Sequence, residues 1–225
     1  MRSLLLLSLL ALVACADAPD TADAAPATSA SDRDTATAEM AAAGALGVGD
    51  RAPDFALPGV GGETVRLSDL LLDGPVVLTF YRGAWCPYCN TQLRDYQQAL
   101  GRLEAAGARL VAVSPQAPDS SSALADRAAL AFPVLSDVGN RVSREYGLVF
   151  RVDDATRQRY ESVGVDLARY NADPADATVE GAWELPVPAT YVVRRDGTIA
   201  AAFVEADYTQ RASARQVLDA LDAMG

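Results

Sequence analysis

The residues best suited to chemistry in this chain are two cysteines, Cys86 and Cys89, separated by a proline and a tyrosine. They follow an apolar run, residues 76–81, and open a segment with helical spacing. A thiol on the first turn of a helix faces free backbone N–H groups and a partial positive charge, which favour the thiolate. Such a site lowers a cysteine pKa from about 8.5 into roughly the 3.5–7.5 range. The spacing therefore predicts thiol redox chemistry, in which the pair closes to a disulfide and opens again.

The cysteine count supports a dedicated use of this pair. The chain has three cysteines and no histidine, and the third, Cys15, ends an apolar N-terminal segment. A disulfide framework needs more cysteines, and a structural zinc site normally needs four Cys or His ligands. No metal and no organic cofactor is expected, since the chain also lacks a Gly-rich phosphate loop. The alternative interpretation is that Cys86 and Cys89 are two small buried hydrophobic residues.

The N-terminus predicts where the protein resides. Arg2 precedes an apolar run over residues 4–14, which is too short to span a bilayer and is typical of a signal peptide. Residues 12–15, Leu-Val-Ala-Cys, resemble a bacterial lipobox, which implies cleavage after residue 14 and lipidation of Cys15. The alternative is an ordinary secretory peptide. Both place the domain outside the cytoplasm, in the bacterial cell envelope on the periplasmic side, and the lipobox adds a membrane anchor.

Composition divides the rest of the chain in two. Residues 15–45 are rich in Ala, Asp, Thr, Ser and Pro and have no aromatic residue, which predicts a flexible tether. A short helix around residues 35–43 would be marginal on its own. Residues 46–225 suit one domain with a full core. The net charge of -11 argues against nucleic acid as a partner and against binding anionic lipid by charge.

Strand and helix signals alternate along the domain and predict an α/β fold with a right-handed parallel crossover. The expected elements are an N-terminal hairpin turning at 59–62, a buried strand at 75–81, a helix at 87–106, a strand at 109–113, a helix at 121–131, a strand at 132–135, a helix at 140–146, a hairpin over 189–203 and a final helix at 212–224.

Two stretches carry a resemblance to a known family. The order of elements, with Trp-Cys-Pro-Tyr-Cys after a central strand and residues 187–191 before a hairpin strand, looks like the thioredoxin fold. The opening at 48–70 and the segment FYRGAWCPYC resemble the alkyl hydroperoxide reductase/thiol-specific antioxidant family, in its Cys-x-x-Cys peroxiredoxin-like subgroup. The resemblance implies a thioredoxin-like fold with a central mixed sheet flanked by helices. It covers residues 46–149 and 184–225, and 151–183 reads as an insertion.

Two family registers compete for the same cysteines. In the thioredoxin register, Cys86 is the exposed nucleophile and Cys89 resolves the mixed disulfide. In the peroxiredoxin register, Pro-x-x-x-Thr-x-x-Cys, Arg82 stands where the family has proline and Cys86 where it has threonine. Cys89 then becomes the peroxidatic cysteine. Pro188 lies near the place of the arginine that holds the peroxide in typical peroxiredoxins, so two of three usual activating groups are missing.

Three further residues are candidates for supporting roles. Arg82 could lower a thiol pKa or bind a peroxide oxygen, or it could be an exposed or salt-bridged arginine. Trp85 is expected to pack over the disulfide, and the alternative is a purely core role. Pro188 is expected to be a cis-proline that faces the cysteines, as the loop proline is in thioredoxins, and the alternative is an ordinary loop with a trans-proline.

The resemblance implies a thiol-dependent peroxidase for hydrogen peroxide and organic hydroperoxides, reduced by a thioredoxin-like dithiol donor. One alternative is an envelope thiol–disulfide reductase that acts on protein disulfides. A second is a non-enzymatic lipoprotein in which the disulfide of Cys86 and Cys89 is an inert structural link.

Overall fold

The computed structural model describes residues 30–171 and 182–224. The strands are β1 Ala56–Pro58, β2 Thr64–Arg66, β3 Val76–Phe80, β4 Arg109–Ser114, β5 Val134–Ser136, β6 Val149–Arg151, β7 Glu184–Pro186, β8 Ala189–Val193 and β9 Ile199–Val204. The helices are α1 Ala30–Gly44, α2 Leu67–Asp73, α3 Pro87–Ala105, α4 Pro118–Ala128, α5 Arg141–Glu145, α6 Asp154–Ser162, α7 Leu167–Asn171 and α8 Ala214–Asp222. Within these ranges no helix has both the length and the apolar character that a membrane crossing requires.

A five-stranded mixed sheet in the order β5-β4-β3-β8-β9 forms the centre of the domain. Strands β3, β4 and β5 run parallel, whereas β8 pairs antiparallel with both β3 and β9. Every residue of β3 is buried, as a continuous apolar run predicts for a strand covered on both faces. The predicted central mixed sheet flanked by helices is confirmed, as is the short N-terminal hairpin of β1 and β2.

Helices cover both faces of this sheet. One core cluster lies where α3, α4 and α8 pack on the sheet, and it includes both cysteines. A second cluster on the other face takes side chains from α2, α5 and the N-terminal hairpin. The two thiols therefore sit within the hydrophobic core of one layer, at the end of β3 where the chain enters α3.

Helix α3 begins and ends where its sequence predicts. Pro87 occupies the first helical position, where the missing N–H costs no hydrogen bond. Leu93, Tyr96 and Leu103 recur at helical spacing, and all three are fully buried. Gly107 follows the helix with a φ of 77°, a left-handed conformation that favours glycine. This helix is long and buried along one face, so it holds the cysteines at its N-terminus on a rigid support.

The N-terminal part of the chain departs from the expected flexible tether. Residues 30–44 form helix α1, which packs against β6 and α6 and buries Ala38. At its end, a Cβ on Gly147 would lie 2.4 Å from the carbonyl oxygen of Gly44, so only glycine allows this close approach. Packing on the domain stabilises a helix that would be marginal alone. The predicted signal peptide, Cys15 and the first half of the tether lie outside the described residues.

The insertion after β6 is folded where the structure describes it. Helices α6 and α7 pack on a small apolar cluster formed by Val152, Leu167, Trp183 and Leu185. Strands β6 and β7 pair antiparallel at its base and return the chain to the central sheet. Trp85 and Tyr160 pack against this cluster, so the insertion lies beside the cysteine segment.

Candidate active site

Both cysteines are free thiols at the N-terminus of α3, and both are buried. Cys86 is the N-cap residue and Cys89 is the third residue of the helix. Their relative exposures are 1% and 0%. The expectation of an exposed Cys86, taken from the thioredoxin register, is wrong, because a segment near the C-terminus lies against the sulfur atoms.

The turn before the helix is held by specific contacts. Gly83 has a φ of 152°, and a Cβ there would lie 2.5 Å from Nε1 of Trp85. The backbone N–H of Ala84 donates to Oε1 of Gln116 at 2.7 Å, and its carbonyl accepts from Nδ2 of Asn90 at 2.9 Å. These contacts fix the direction in which the chain leaves β3 and so the orientation of both thiols.

The segment over the thiols is the loop 205–213, between β9 and α8, and it carries Arg211. One guanidinium nitrogen of Arg211 lies 3.5 Å from Sγ of Cys89 and 4.0 Å from Sγ of Cys86. The other terminal nitrogen donates to the backbone carbonyls of Tyr208 and Gln210 in the same loop. Sequence reasoning gave Arg211 no role.

A sequence signal for this placement exists. Ser213 and Gln216 form a capping box that marks the start of α8, and Arg211 stands just before it. Arg211 is the only cation of the loop. The contact itself could not be read from spacing, since Arg211 and Cys89 are 122 residues apart in the chain.

The two thiols differ in their electrostatic surroundings. Burial alone would raise the pKa of Cys89, but the hydrogen bond from Cys86 and the charges of Arg211 and Arg82 outweigh burial and lower that pKa to about 5. The hydrogen bond with Cys89 and burial raise the pKa of Cys86. At neutral pH this arrangement holds Cys89 as a thiolate that accepts a hydrogen bond from the Cys86 thiol.

Arg82 is buried at the end of β3, with 3% relative exposure, in a cage of aromatic rings. Its guanidinium carbon lies 4.4 Å from the ring centroid of Tyr208, 5.0 Å from that of Trp85 and 5.7 Å from that of Tyr160. It also donates a hydrogen bond to the hydroxyl of Tyr160. Among the described residues, no carboxylate forms a salt bridge with Arg82 or Arg211. The interpretation of Arg82 as an exposed arginine is therefore wrong.

Of the other two predicted residues, Trp85 forms part of this cage and Pro188 lines the adjoining cavity. Trp85 packs against the core cluster that holds the cysteines, and its ring lies 5.2 Å from that of Tyr160. Pro188 has a trans peptide bond, since no cis bond occurs in the described ranges. The expected cis-proline is a wrong prediction, and Pro188 lies in the two-residue connection between β7 and β8. The carbonyl of Pro188 accepts from the N–H of Glu205 and so anchors the start of the loop 205–213.

A cavity of about 80 Å³ borders Arg82 on the side of the insertion. Its lining combines two arginines, aromatic rings and two residues of α1: Thr35, Ala38, Arg82, Phe150, Arg159, Tyr160, Pro188, Ala206 and Tyr208. Among the described residues no Asp or Glu lines it, and its two arginines suit small polar or anionic groups. The described part of the chain holds no group of three or more His, Cys, Asp or Glu residues placed to bind a metal ion.

This arrangement supports nucleophilic chemistry by sulfur. The thiolate of Cys89 lies beside a second thiol that can complete a disulfide, and the two guanidinium groups nearby can stabilise negative charge on oxygen. Arg82, Trp85, Cys86 and Cys89 come together as predicted, and Arg211, Tyr160 and Tyr208 join them from distant parts of the sequence.

Comparison with known proteins agrees with this geometry. The sequence model of the AhpC/TSA family matches residues 48–202. Peroxiredoxin Bcp of Escherichia coli is 35% identical over 104 residues, which cover 46% of this chain and 65% of that protein. Chloroplastic peroxiredoxin Q of Populus jackii is 34% identical over 100 residues, which cover 44% of this chain and 46% of that protein. The chain thus spans less than two thirds of the length of these relatives.

Solved structures show the same fold. Peroxidoxin BcpB from Mycobacterium tuberculosis superposes with a TM-score of 0.60 at 23% identity, covering 80% of this chain and 99% of that one. A PrxQ variant from Xylella fastidiosa gives a TM-score of 0.61 at 17% identity, covering 80% of this chain and 97% of that one.

Proposed function

We propose that this chain, which belongs to the AhpC/TSA family, is a thiol-dependent peroxidase that reduces hydrogen peroxide and organic hydroperoxides. The family match confirms the resemblance inferred from the opening segment and from the residues around Cys86 and Cys89. Because the aligned part covers less than two thirds of the curated relatives, the activity, the substrates and the donor are proposals for this chain.

The reaction takes three balanced steps. The thiolate of Cys89 attacks the terminal oxygen of ROOH, the O–O bond breaks, and RO⁻ leaves and takes a proton from water to become ROH. The resulting sulfenic acid of Cys89 condenses with the thiol of Cys86, which forms the disulfide and releases water. A dithiol donor then reduces the disulfide by exchange, and both cysteines return to the thiol form while the donor becomes the disulfide.

The observation that carries this proposal is the contact between Arg211 and Cys89. The sequence lacks, near Pro188, the arginine that holds the peroxide in typical peroxiredoxins. Arg211, from another part of the chain, places a guanidinium beside the sulfur of Cys89 instead. A thiolate is the attacking form, and a peroxide oxygen that departs as an anion needs a hydrogen-bond donor. Arg211 and the caged Arg82 can stabilise both the thiolate of Cys89 and the negative charge on the departing oxygen.

The proposal is tested by comparing two reactions of the reduced protein. One equivalent of hydrogen peroxide is mixed with it in a stopped-flow instrument, and an oxidised protein disulfide is mixed with it separately. We expect the second-order rate constant for peroxide to be the larger of the two, with the product holding one intramolecular disulfide between Cys86 and Cys89. A larger rate constant with the protein disulfide would reject peroxidase activity in favour of disulfide reduction.

The second candidate function is an envelope thiol–disulfide reductase, which the Cys-x-x-Cys at a helix start favours. That reaction requires an accessible attacking sulfur, and Cys86 is 1% exposed with a raised pKa. The geometry therefore favours peroxide, a small substrate, over a protein disulfide. An inert structural disulfide, the third alternative, would leave the reduced protein unreactive in both stopped-flow experiments.

We further propose that the domain is lipid-anchored at Cys15 in the cell envelope and receives electrons from a thioredoxin-like dithiol protein on that side of the membrane. The lipobox-like residues 12–15 support the anchor. Detergent phase separation tests it: the wild-type protein should partition with the detergent, and Cys15→Ser should move to the aqueous phase with unchanged peroxide reactivity. A wild-type protein in the aqueous phase would contradict the anchor.

A further inference from the structure

Helix α3, which carries Cys89, also holds the loop that carries Arg211. Gln92 and Tyr96 lie on the same buried face as Cys89, one and two turns further along the helix. The hydroxyl of Tyr96 donates to the backbone carbonyl of Ala212 at 2.9 Å. Nε2 of Gln92 lies 3.5 Å from the same oxygen. Both side chains therefore bind the residue that follows Arg211.

The hydroxyl of Tyr96 is oriented by its other neighbours. Nε2 of Gln92 donates to it at 3.2 Å, and it lies 3.1 Å from Oγ1 of Thr190. Because Tyr96 gives its single proton to the carbonyl of Ala212, the Thr190 hydroxyl must donate in that contact. Oγ1 of Thr79 lies 3.0 Å from Oγ1 of Thr190, which extends the chain of hydroxyls into β3. The phenol is thus held with its proton directed at the loop.

The loop has few other attachments to the domain. The N–H of Glu205 donates to the carbonyl of Pro188 at the start of the loop, and the N–H of Gln210 donates to Asp207 within it. Tyr208 contacts Arg82 and Tyr88 through its ring while remaining 44% exposed. At the other end of the loop, Ala212 is buried in the core cluster that holds the cysteines. The hydrogen bond from Tyr96 to its carbonyl is the shorter of the two side-chain contacts that fix the backbone next to Arg211.

We propose that Tyr96 is a positioning residue that holds the guanidinium of Arg211 against the sulfur of Cys89 through the carbonyl of Ala212. An effect of Tyr96 on turnover rests on the proposed peroxidase function, whereas its effect on ionisation of the Cys89 thiol does not. The contact between Arg211 and Cys89 spans 3.5 Å, and the attraction between opposite charges falls with distance. A loop that moves away therefore weakens the stabilisation of the thiolate.

The test follows the ionisation of Cys89 directly. In a Cys86→Ser background, alkylation of Cys89 by iodoacetamide is measured against pH, with the modified residue assigned by peptide mass spectrometry. The groups that face Cys89 are then the serine hydroxyl introduced by that substitution, Arg211, Arg82 and the phenol of Tyr81. Adding Tyr96→Phe should raise the midpoint pH of alkylation by about half to one unit. At a pH below the midpoint, this shift corresponds to a thiolate fraction that is about three- to tenfold lower.

A matched control and a double mutant separate positioning from general destabilisation. Tyr146→Phe removes an equally buried phenol that donates to the carbonyl of Pro53, on the other face of the sheet, and should leave the midpoint unchanged. Arg211→Gln should raise the midpoint, and adding Tyr96→Phe to it should raise it no further, because the two changes act through one contact. An unchanged midpoint in Tyr96→Phe, or fully additive shifts, would overturn the proposal.

Two outcomes keep the inference distinct from the proposed function. If Tyr96→Phe shifts the midpoint but the wild-type protein does not react with peroxide, the positioning role stands and the peroxidase proposal fails. If Tyr96→Phe does not fold, Gln92→Leu replaces it, since it removes the second contact to the carbonyl of Ala212 and should give a smaller upward shift. No shift in Gln92→Leu would then count against the positioning role.

Discussion

Two segments meet at the thiols, and they contribute different things. Residues 81–96, from the end of β3 into α3, supply both sulfur atoms, and their position follows from local features such as Pro87 and the burial of Tyr96. Residues 205–213 supply the guanidinium of Arg211 and the ring of Tyr208, from a loop that is exposed over much of its length. The nucleophile is encoded locally, whereas its ionisation depends on a contact between distant parts of the chain.

The largest expected effect separates the roles of the two cysteines within the first segment. Cys89→Ser removes the attacking sulfur, so peroxide consumption should fall by about a thousandfold or more. Cys86→Ser keeps the attacking sulfur but cannot form the internal disulfide, so it should consume one equivalent of peroxide in a single turnover and then turn over poorly, since only the donor can reduce the sulfenic acid. Steady-state and single-turnover assays with a dithiol donor check both results. Turnover at the wild-type rate by either variant would contradict the disulfide cycle.

The second effect, in the loop segment, comes from Arg211→Gln. Loss of the guanidinium should lower the second-order rate constant for peroxide at pH 7 by about 10- to 100-fold. In the wild-type protein, the pKa of about 5 for Cys89 keeps the thiolate formed at neutral pH, so the rate should fall only as the pH drops through 5. The variant has a higher pKa, and its rate should therefore still rise with pH around neutrality.

The matched control for that experiment is Arg211→Lys, which keeps the charge but loses the forked geometry. We expect its pH profile to lie between those of the wild type and of Arg211→Gln. A wild-type profile in Arg211→Gln would mean that the loop does not control ionisation, and the distinction between the two segments would fail.

The smallest effect concerns the insertion. Tyr160→Phe removes the hydroxyl that accepts from Arg82 but keeps the ring beside Trp85, so peroxide reduction should slow by only about two- to fivefold. Arg157→Gln is the control, since Arg157 is exposed on the same helix and stacks on Trp183 instead. Rate constants for hydrogen peroxide measured side by side check this. An equal loss in both variants would indicate damage to the insertion rather than to the site.

Local signals made most of the fold predictable. The apolar run before the cysteines predicted β3, and the spacing of Leu93, Tyr96 and Leu103 predicted α3. The wrong predictions concern the ends of helices and segments whose structure depends on tertiary packing. Helix α4 begins at Pro118 rather than at Ser121, because proline takes the first helical position. Helix α1 forms within the expected tether because it packs against β6 and α6 of the domain.

The site was predictable only in its local half. Cys86, Cys89, Arg82 and Trp85 fall within eight consecutive positions, and the structure keeps them together. The burial of Arg82 depends on aromatic rings from the insertion and from the loop 205–213, which no spacing rule connects to it. For the same reason Arg211 was missed, although the capping box of α8 placed it at the end of a loop.

The central claim, that Cys89 attacks the peroxide, is tested most directly by dimedone labelling of the sulfenic acid. Each single variant is treated with one equivalent of hydrogen peroxide and dimedone, and the labelled residue is identified by mass spectrometry. We expect a label on Cys89 in Cys86→Ser and no label on Cys86 in Cys89→Ser. A label on Cys86 alone, or on neither cysteine, would contradict it and favour the disulfide-reductase alternative.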